Sequence, residues 1–183
     1  LSQTDPLTNA LNRRSINQSL DELHHDKNCP YAIVLLDLDH FKNINDQFGH
    51  HMGDTVLIAV SQKLGLHLRE SDVVGRFGGE EFILILKQSS ALKARQIAER
   101  CRAAIEDLVI QNENGRAIRI TASFGIALAT DKLKPQQLLD QADKALYAAK
   151  ASGRNQIKCY LEINPSEIKY SAACADTQHI SPN

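Results

Sequence analysis

Apolar residues run along this chain in two rhythms. Tyr31 to Leu36 and Phe82 to Leu86 are apolar without interruption. Runs this short, with no polar alternation, predict strands covered on both faces. Elsewhere the spacing is helical. Thr8 to Leu23 carries Leu11, Ile16, Leu20 and Leu23, with Thr8 or Asn9 as the predicted start after an Asp5-Pro6-Leu7-Thr8 turn. Phe41 to Phe48 predicts a short helix closed by Gly49. A longer helix, capped by Asp54, is expected to run to about Leu68 with Val56, Leu57, Val60 and Leu64 inward. Ala91 to Val109 repeats the pattern through Ala94, Ile97, Ala98, Cys101, Ile105 and Leu108. After a turn at Asn112 to Gly115, Ala117 to Ala129 reads as a strand with a bulge at Gly125. Pro135 opens a last helix, with Leu138, Ala142, Ala145, Leu146 and Ala149 inward, and Gly153 stops it. Gln156 to Tyr160 predicts a final strand, and periodicity fails from Glu162 onward.

Between the second apolar run and a shorter one at Val73 and Val74 lies Gly78-Gly79. Two runs around a Gly-Gly pair predict a β-hairpin with a two-residue turn at positive φ. The second strand begins with Glu80 and Glu81, which alternation sends to opposite faces, so the two cannot do the same job. The pair reads either as a charged hairpin tip or as an acid held rigidly beside a buried strand. This order of elements predicts an α/β sandwich on a largely antiparallel sheet, with the first strand and the hairpin central.

Composition narrows the class. At 183 residues and 43% hydrophobic, the chain suits one compact domain. A net charge of −1 gives no basic field for nucleic acid. Cys29, Cys101, Cys159 and Cys174 form no Cys-x-x-Cys pair, which predicts a reducing, cytoplasmic setting rather than a disulfide or zinc framework. No apolar span of about 18 residues occurs, so no direct membrane insertion is expected. The chain starts at Leu1 without a methionine. A preceding segment is therefore expected, with residues 1–4 ending a linker and a membrane tether, if any, lying in the missing part.

The chemistry gathers at Asp37-Leu38-Asp39. Carboxylates at the end of a buried strand, beside another at a hairpin, suit a hard cation such as Mg²⁺. The alternative is a pair of strand-end caps. Lys42 at a helix start suits phosphate. Asn45 and Asp54 could read a guanine edge, the carboxylate accepting from N1–H and N2, although taken singly they read first as a polar helix face and a helix cap. His50 and His51 lack further ligands for a metal. Lys150 and Arg154 fall at the end of the last helix, where a C-terminus also favours cations.

Gly78-Gly79-Glu80-Glu81-Phe82 resembles the signature of the GGDEF family of diguanylate cyclases, in its glutamate form. Asp5-Pro6-Leu7-Thr8-Asn9-Ala10-Leu11-Asn12-Arg13-Arg14, the Asp37–Asp46 and Gly49–Asp54 segments, Thr121–Gly125, Ala142–Lys150 and Gly153-Arg154-Asn155 are similar to its other motifs. The likeness spans about Asp5 to Tyr160. One departure is Asn9, where glycine is usual, and asparagine tolerates left-handed φ.

The resemblance implies a central, mostly antiparallel five-stranded sheet flanked by helices, similar to nucleotide cyclase and polymerase palm domains. It implies a catalytic domain at 5–161, a loosely ordered tail at 162–183, and condensation of two GTP into cyclic di-GMP. Asp37, Glu80 and the Leu38 carbonyl would hold Mg²⁺ or Mn²⁺, with Glu80 and, more weakly, Glu81 catalytic. Phe41, Lys42, Lys150 and Arg154 would bind the triphosphate, and Asn45, His50 and Asp54 the guanosine. A homodimer would bring two half-sites together, under an upstream sensor domain. Arg69 and Asp72, with Arg100 or Arg102, would form a product-inhibition site, where the bland alternative is a solvated ion pair. A degenerate binding module and a cyclase of other specificity are the competing functions. The intact polar positions argue against the first, and Asn45 with Asp54 against the second.

Overall fold

The computed structural model describes residues 2–167. Its elements are α1 (Arg13–His25), β1 (Tyr31–Leu38), α2 (Phe41–Phe48), α3 (His50–His67), β2 (Val73–Arg76), β3 (Glu81–Lys87), α4 (Ala91–Glu106), β4 (Ile110–Gln111), β5 (Ala117–Ile118), β6 (Ala122–Leu128), α5 (Pro135–Ala151), β7 (Ile157–Cys159) and α6 (Tyr160–Ile163). Five strands form the main sheet in the order β2-β3-β1-β6-β7, antiparallel except for β6 with β7. β4 and β5 form a separate ribbon.

Every residue of β1 is buried because both faces of the sheet are covered. Ala32, Val34, Leu36 and Leu38 share one core with Val56, Val60 and Leu64 of α3 and Ala94, Ile97 and Ala98 of α4. Tyr31, Ile33 and Leu35 share the other with Ile16 and Leu20 of α1 and Leu138, Ala142 and Leu146 of α5. The expected α/β architecture is present, but of the first strand and the hairpin only β1 and β3 are interior, alongside β6. The first strand of the hairpin, β2, is an edge strand, bridged on its outer side by Leu11.

Several local expectations are corrected by tertiary contacts. The first helix starts at Arg13, not at Thr8 or Asn9. The Asp5 carboxylate takes the Thr8 amide (2.9 Å) and hydroxyl (2.8 Å), and the Leu11 backbone is claimed by β2, so helical bonding begins only after Asn12. Asn9 has φ 59°, the left-handed angle expected where glycine is usual. Asp54 is not a cap; α3 begins one turn earlier, after Gly49 at φ 84°. The predicted helix through Val109 ends at Glu106, where the chain turns into β4. The predicted strand over 117–129 is two strands. Gly125 pairs regularly with Leu35 and makes no bulge. Its missing side chain serves packing, since a Cβ there would lie 2.3 Å from the Ala142 carbonyl of α5.

The hairpin turn also differs. Phe77 to Glu80 form a four-residue connection in which the Phe77 and Gly78 amides both donate to the Glu81 carbonyl, at 2.8 and 3.2 Å. Gly78 and Gly79 do not have positive φ. A Cβ on Gly78 would instead press on the Glu81 carboxylate at 2.5 Å. Of the segment expected to be loose from Glu162, α6 runs to Ile163 and a 3₁₀ turn spans Pro165–Glu167; residues 168–183, with Cys174, lie outside the described residues. Cys101 and Cys159 are buried, and burial pushes the Cys101 thiol up to about 12. No helix among the described residues is long and apolar enough to cross a membrane.

Candidate active site

The end of β1 is where the sequence runs out of apolar residues, and there a cleft of about 190 Å³ opens. Asp37, Leu38, Asp39, His40, Phe41 and Lys42 enter it from β1 and the start of α2, Glu80 from the hairpin, and Lys150 and Arg154 from the end of α5. The backbone holds these pieces in place. The Leu38 amide donates to the Glu80 carbonyl at 3.3 Å, and the Asp39 amide to the Thr121 carbonyl at 2.8 Å.

The two aspartates differ in role. Asp37 is 8% exposed and pairs with the Lys150 ammonium at 3.1 Å. Its carboxyl is pushed up by burial, against the pull of Lys150. Asp39 is a brace. One oxygen accepts from the Ser123 hydroxyl (2.7 Å), the other from the Thr121 hydroxyl (2.7 Å) and the Asn155 amide (3.0 Å). The strand-end alternative therefore describes Asp39, while Asp37 stays available at the cleft.

Glu80 and Glu81 separate as alternation requires. Glu80 borders the cleft, and its carboxyl is pushed up by burial and then by Asp37. Glu81 lies opposite Asp37 in register but borders a second hollow of about 270 Å³ with Arg13, Phe77, Asp140 and Asp143. Its carboxyl is also raised, first by burial and then by Asp37. The Arg13 guanidinium stacks 4.5 Å from the Phe77 ring centre beside it. This larger hollow lacks the lysines and the strand-end aspartate, so the smaller cleft is the chemically equipped one.

His40 adopts φ 55° before α2, and no side chain caps that helix. The start of α2, whose Phe41 and Lys42 border the cleft, is thus left without a side-chain cap, an arrangement suited to an anion. Asn45, His50 and Asp54 do not line the cleft. They sit at the α2–α3 corner next to it. Gly53 packs so tightly that a Cβ would meet the Asn45 amide oxygen at 1.9 Å and the Phe41 ring at 3.2 Å. That Asn45 oxygen is buried without a hydrogen-bond partner, a polar group awaiting a donor. Asp54 and His50 are exposed.

The Arg69–Asp72 pair is half-buried rather than freely solvated, the arginine side chain being 32% exposed. The Asp72 side chain is fully buried and accepts from Arg69 Nη2 (2.7 Å), Nε (2.9 Å) and the Arg69 amide (3.1 Å). Arg69 also donates to the Lys87 carbonyl (2.8 Å) and the Ser89 hydroxyl (3.0 Å). Arg100 reaches the nearby His67 carbonyl. Arg102 is occupied by Glu99, Glu106 and Asn155, so of the two candidates only Arg100 stands beside the pair.

Sequence reasoning missed one support of the signature turn. Arg76 donates to the Gly79 carbonyl through Nη2 (2.8 Å) and Nε (3.2 Å) while Nη1 pairs with Asp5 at 3.2 Å. Asp5 in turn is held below the usual carboxylate range by Thr8 and Arg76, although burial opposes them with the largest single effect. Arg76 precedes Gly78 by two residues, but nothing in its spacing names a partner 71 positions upstream.

The family model for "Diguanylate cyclase, GGDEF domain" matches residues 2–156, and the chain belongs to this family. Diguanylate cyclase DgcP of Pseudomonas aeruginosa is 39% identical over 158 residues, which are 85% of this chain but 23% of that protein. Diguanylate cyclase DosC of Escherichia coli is 37% identical over 159 residues, 85% of this chain and 35% of that one. The chain thus spans between a fifth and about a third of the length of these relatives. Among solved structures, the GGDEF domain of DgcB from Caulobacter crescentus, crystallised with c-di-GMP, superposes with a TM-score of 0.83 at 30% identity, covering 87% of this chain and 96% of that one. SiaD of Pseudomonas aeruginosa, in complex with its activator SiaC, gives 0.81 at 37% identity, covering 86% and 61%.

Proposed function

We propose that residues 5–161 form the catalytic domain of a diguanylate cyclase that condenses two GTP into cyclic di-GMP, releasing two pyrophosphates. One observation carries the reading: Asp37 and Glu80 meet Lys42, Lys150 and Arg154 in one cleft at the end of β1. Two carboxylates burdened by burial are the donor set a hard divalent cation relieves, and oxygen is the ligand Mg²⁺ or Mn²⁺ prefers. Among the described residues no three acidic, histidine or cysteine side chains cluster for a metal. The chain would contribute Asp37, Glu80 and the Leu38 carbonyl, leaving positions for phosphate oxygens and water. Such an ion would neutralise charge at the α-phosphate and ease ionisation of the attacking hydroxyl.

The residues divide the remaining work. Lys42, Lys150, Arg154 and the open N–H groups near Phe41 hold the triphosphate. Lys150, paired with Asp37 at 3.1 Å, would be free to turn to phosphate if a cation engaged that carboxylate. Asn45, Asp54 and His50 hold the guanosine, the orphaned Asn45 oxygen accepting from the base. Glu80 takes the proton as the 3′-oxygen of one GTP bonds to the α-phosphorus of the other and the bond to pyrophosphate breaks. Glu81, on the other side of the turn, acts by shaping it. One cleft holds one GTP, so two chains must face each other with twofold symmetry. An upstream sensor domain would govern that pairing in the cytoplasm, and product bound at Arg69, Asp72 and Arg100 would restrain it. Incubation of the purified chain with GTP and Mg²⁺, followed by mass identification of products, tests the reading. Cyclic di-GMP is expected. Binding of GTP without turnover by a demonstrably dimeric chain would show a binding module, and a cyclic product from ATP a different cyclase.

A further inference from the structure

The loop after α5 holds an unusual backbone. Gly153, Arg154 and Asn155 have φ of 114°, 65° and 45°, three left-handed residues in succession, two of them with side chains. Such conformations persist only where the surroundings over-determine them, and they concentrate at functional sites. Here the surroundings are visible. The Asn155 amide donates to Asp39 at the end of β1 at 3.0 Å. Its side-chain oxygen accepts from Arg102 Nη1 of α4 at 2.8 Å, and its Nδ2 donates to Glu106 at 3.0 Å. Gln156 closes the loop from below, donating to the Ser152 and Arg154 carbonyls at 2.8 and 3.1 Å. Arg154, between these anchors, borders the cleft while its guanidinium has no hydrogen-bond partner among the described residues.

Arg102 is the keystone of this clamp. Glu99 and Glu106 hold its guanidinium at 2.7 and 2.6 Å, and its side chain is 16% exposed. Pairs along one helix are ordinarily a solvated surface feature of little consequence. What separates Arg102 from that case is the bond that crosses 53 residues to Asn155. We propose that Arg102 is a positioning residue for phosphate binding. Through Asn155 it locks the left-handed loop that aims Arg154 into the cleft. The inference rests on the reading of Arg154 as a triphosphate ligand.

A double-mutant cycle on Arg102 and Arg154 tests it, with affinity for a non-hydrolysable GTP analogue in Mg²⁺, KM and kcat for GTP, and Tm measured for each variant. Arg102→Ala should raise Kd and KM by about fivefold while kcat stays within about twofold, because binding geometry is lost and chemistry is not. Added to Arg154→Ala, it should change Kd no further, since the two act through one group. Arg102→Lys, which cannot reach Asn155 and both glutamates together, should fall between. Asn155→Gly, which accepts positive φ but drops the side-chain clamp, should reproduce the Kd effect even if Arg102→Ala lowers Tm. Unchanged Kd in Arg102→Ala and Asn155→Gly, or effects of Arg102→Ala and Arg154→Ala that multiply in the double variant, would overturn the proposal while leaving the cyclase reading intact. Unchanged Kd in Arg154→Ala would instead refute the underlying phosphate assignment.

Discussion

Replacing Gly125 by alanine strikes the contact that carries α5. A methyl there would lie 2.3 Å from the Ala142 carbonyl oxygen, 2.3 Å from the Leu146 amide nitrogen and 2.8 Å from the Leu146 Cα. These are backbone atoms of one helical turn and cannot rotate aside. Reaching ordinary contact of about 3.5 Å requires α5 to lift by roughly 1 Å. Overpacking costs about 1–3 kcal/mol, and a rigid backbone on the far side puts this case near about 3 kcal/mol. At about 2–4 °C per kcal/mol for a chain of this size, Tm should fall by about 6–12 °C. Lys150 lies one turn beyond Leu146, so its 3.1 Å reach to Asp37 is disturbed too. Displacement of catalytic groups by about 1 Å can cost about 10²-fold, so cyclic di-GMP formation should drop by that order even below the new Tm. Gly65→Ala is the control. It sits in α3 with nothing within 4 Å of a new Cβ, and should gain about 0.8 kcal/mol of helix propensity. Thermal melts and turnover assays of both variants decide the matter. A Gly125→Ala chain melting within about 2 °C of the parent would refute the claim that α5 rests on Gly125.

Other perturbations address the site. Without divalent ions, stability should fall as pH rises from the ordinary glutamate value of 4.5 through the raised folded value of Glu80, because the folded chain holds that proton more tightly. Glu80→Gln should flatten the fall, melt higher at neutral pH, respond less to Mg²⁺ and lose turnover; melts against pH that superpose on the parent's would contradict this. Arg69→Ala should relieve inhibition by added cyclic di-GMP and retain turnover, but at lower Tm, since it strands the fully buried Asp72 carboxylate. Inhibition curves identical to the parent's would reduce the pair to a structural brace. Asn45→Ala and Asp54→Ala should each narrow the preference for GTP over ATP in competition binding, and an unaltered preference in both would remove the guanine assignment.

The periodicity of the chain determined most of the elements. Unbroken apolar runs at Tyr31–Leu36 and Phe82–Leu86 announced strands covered on both faces, because burial on two sides leaves no polar alternation. The resemblance to the family's motifs implied a site of Asp37, Glu80, Lys42, Lys150 and Arg154, and these residues line one cleft. Partners between distant segments left no such trace. Gly125 looked like a bulge because sequence alone does not show the helix that crosses it. Asp54 looked like a cap and Thr8 like a helix start because local propensity is silent about the Leu11–β2 bridge and about Gly49 turning the chain. Asp39 could not be told from Asp37 until Ser123, Thr121 and Asn155 converged on it, from 82 to 116 positions away. A side chain's local pattern specifies which face it takes, whereas its partner is set by how the sheet orders β6 beside β1 and brings α5 across both, and only the folded chain expresses that.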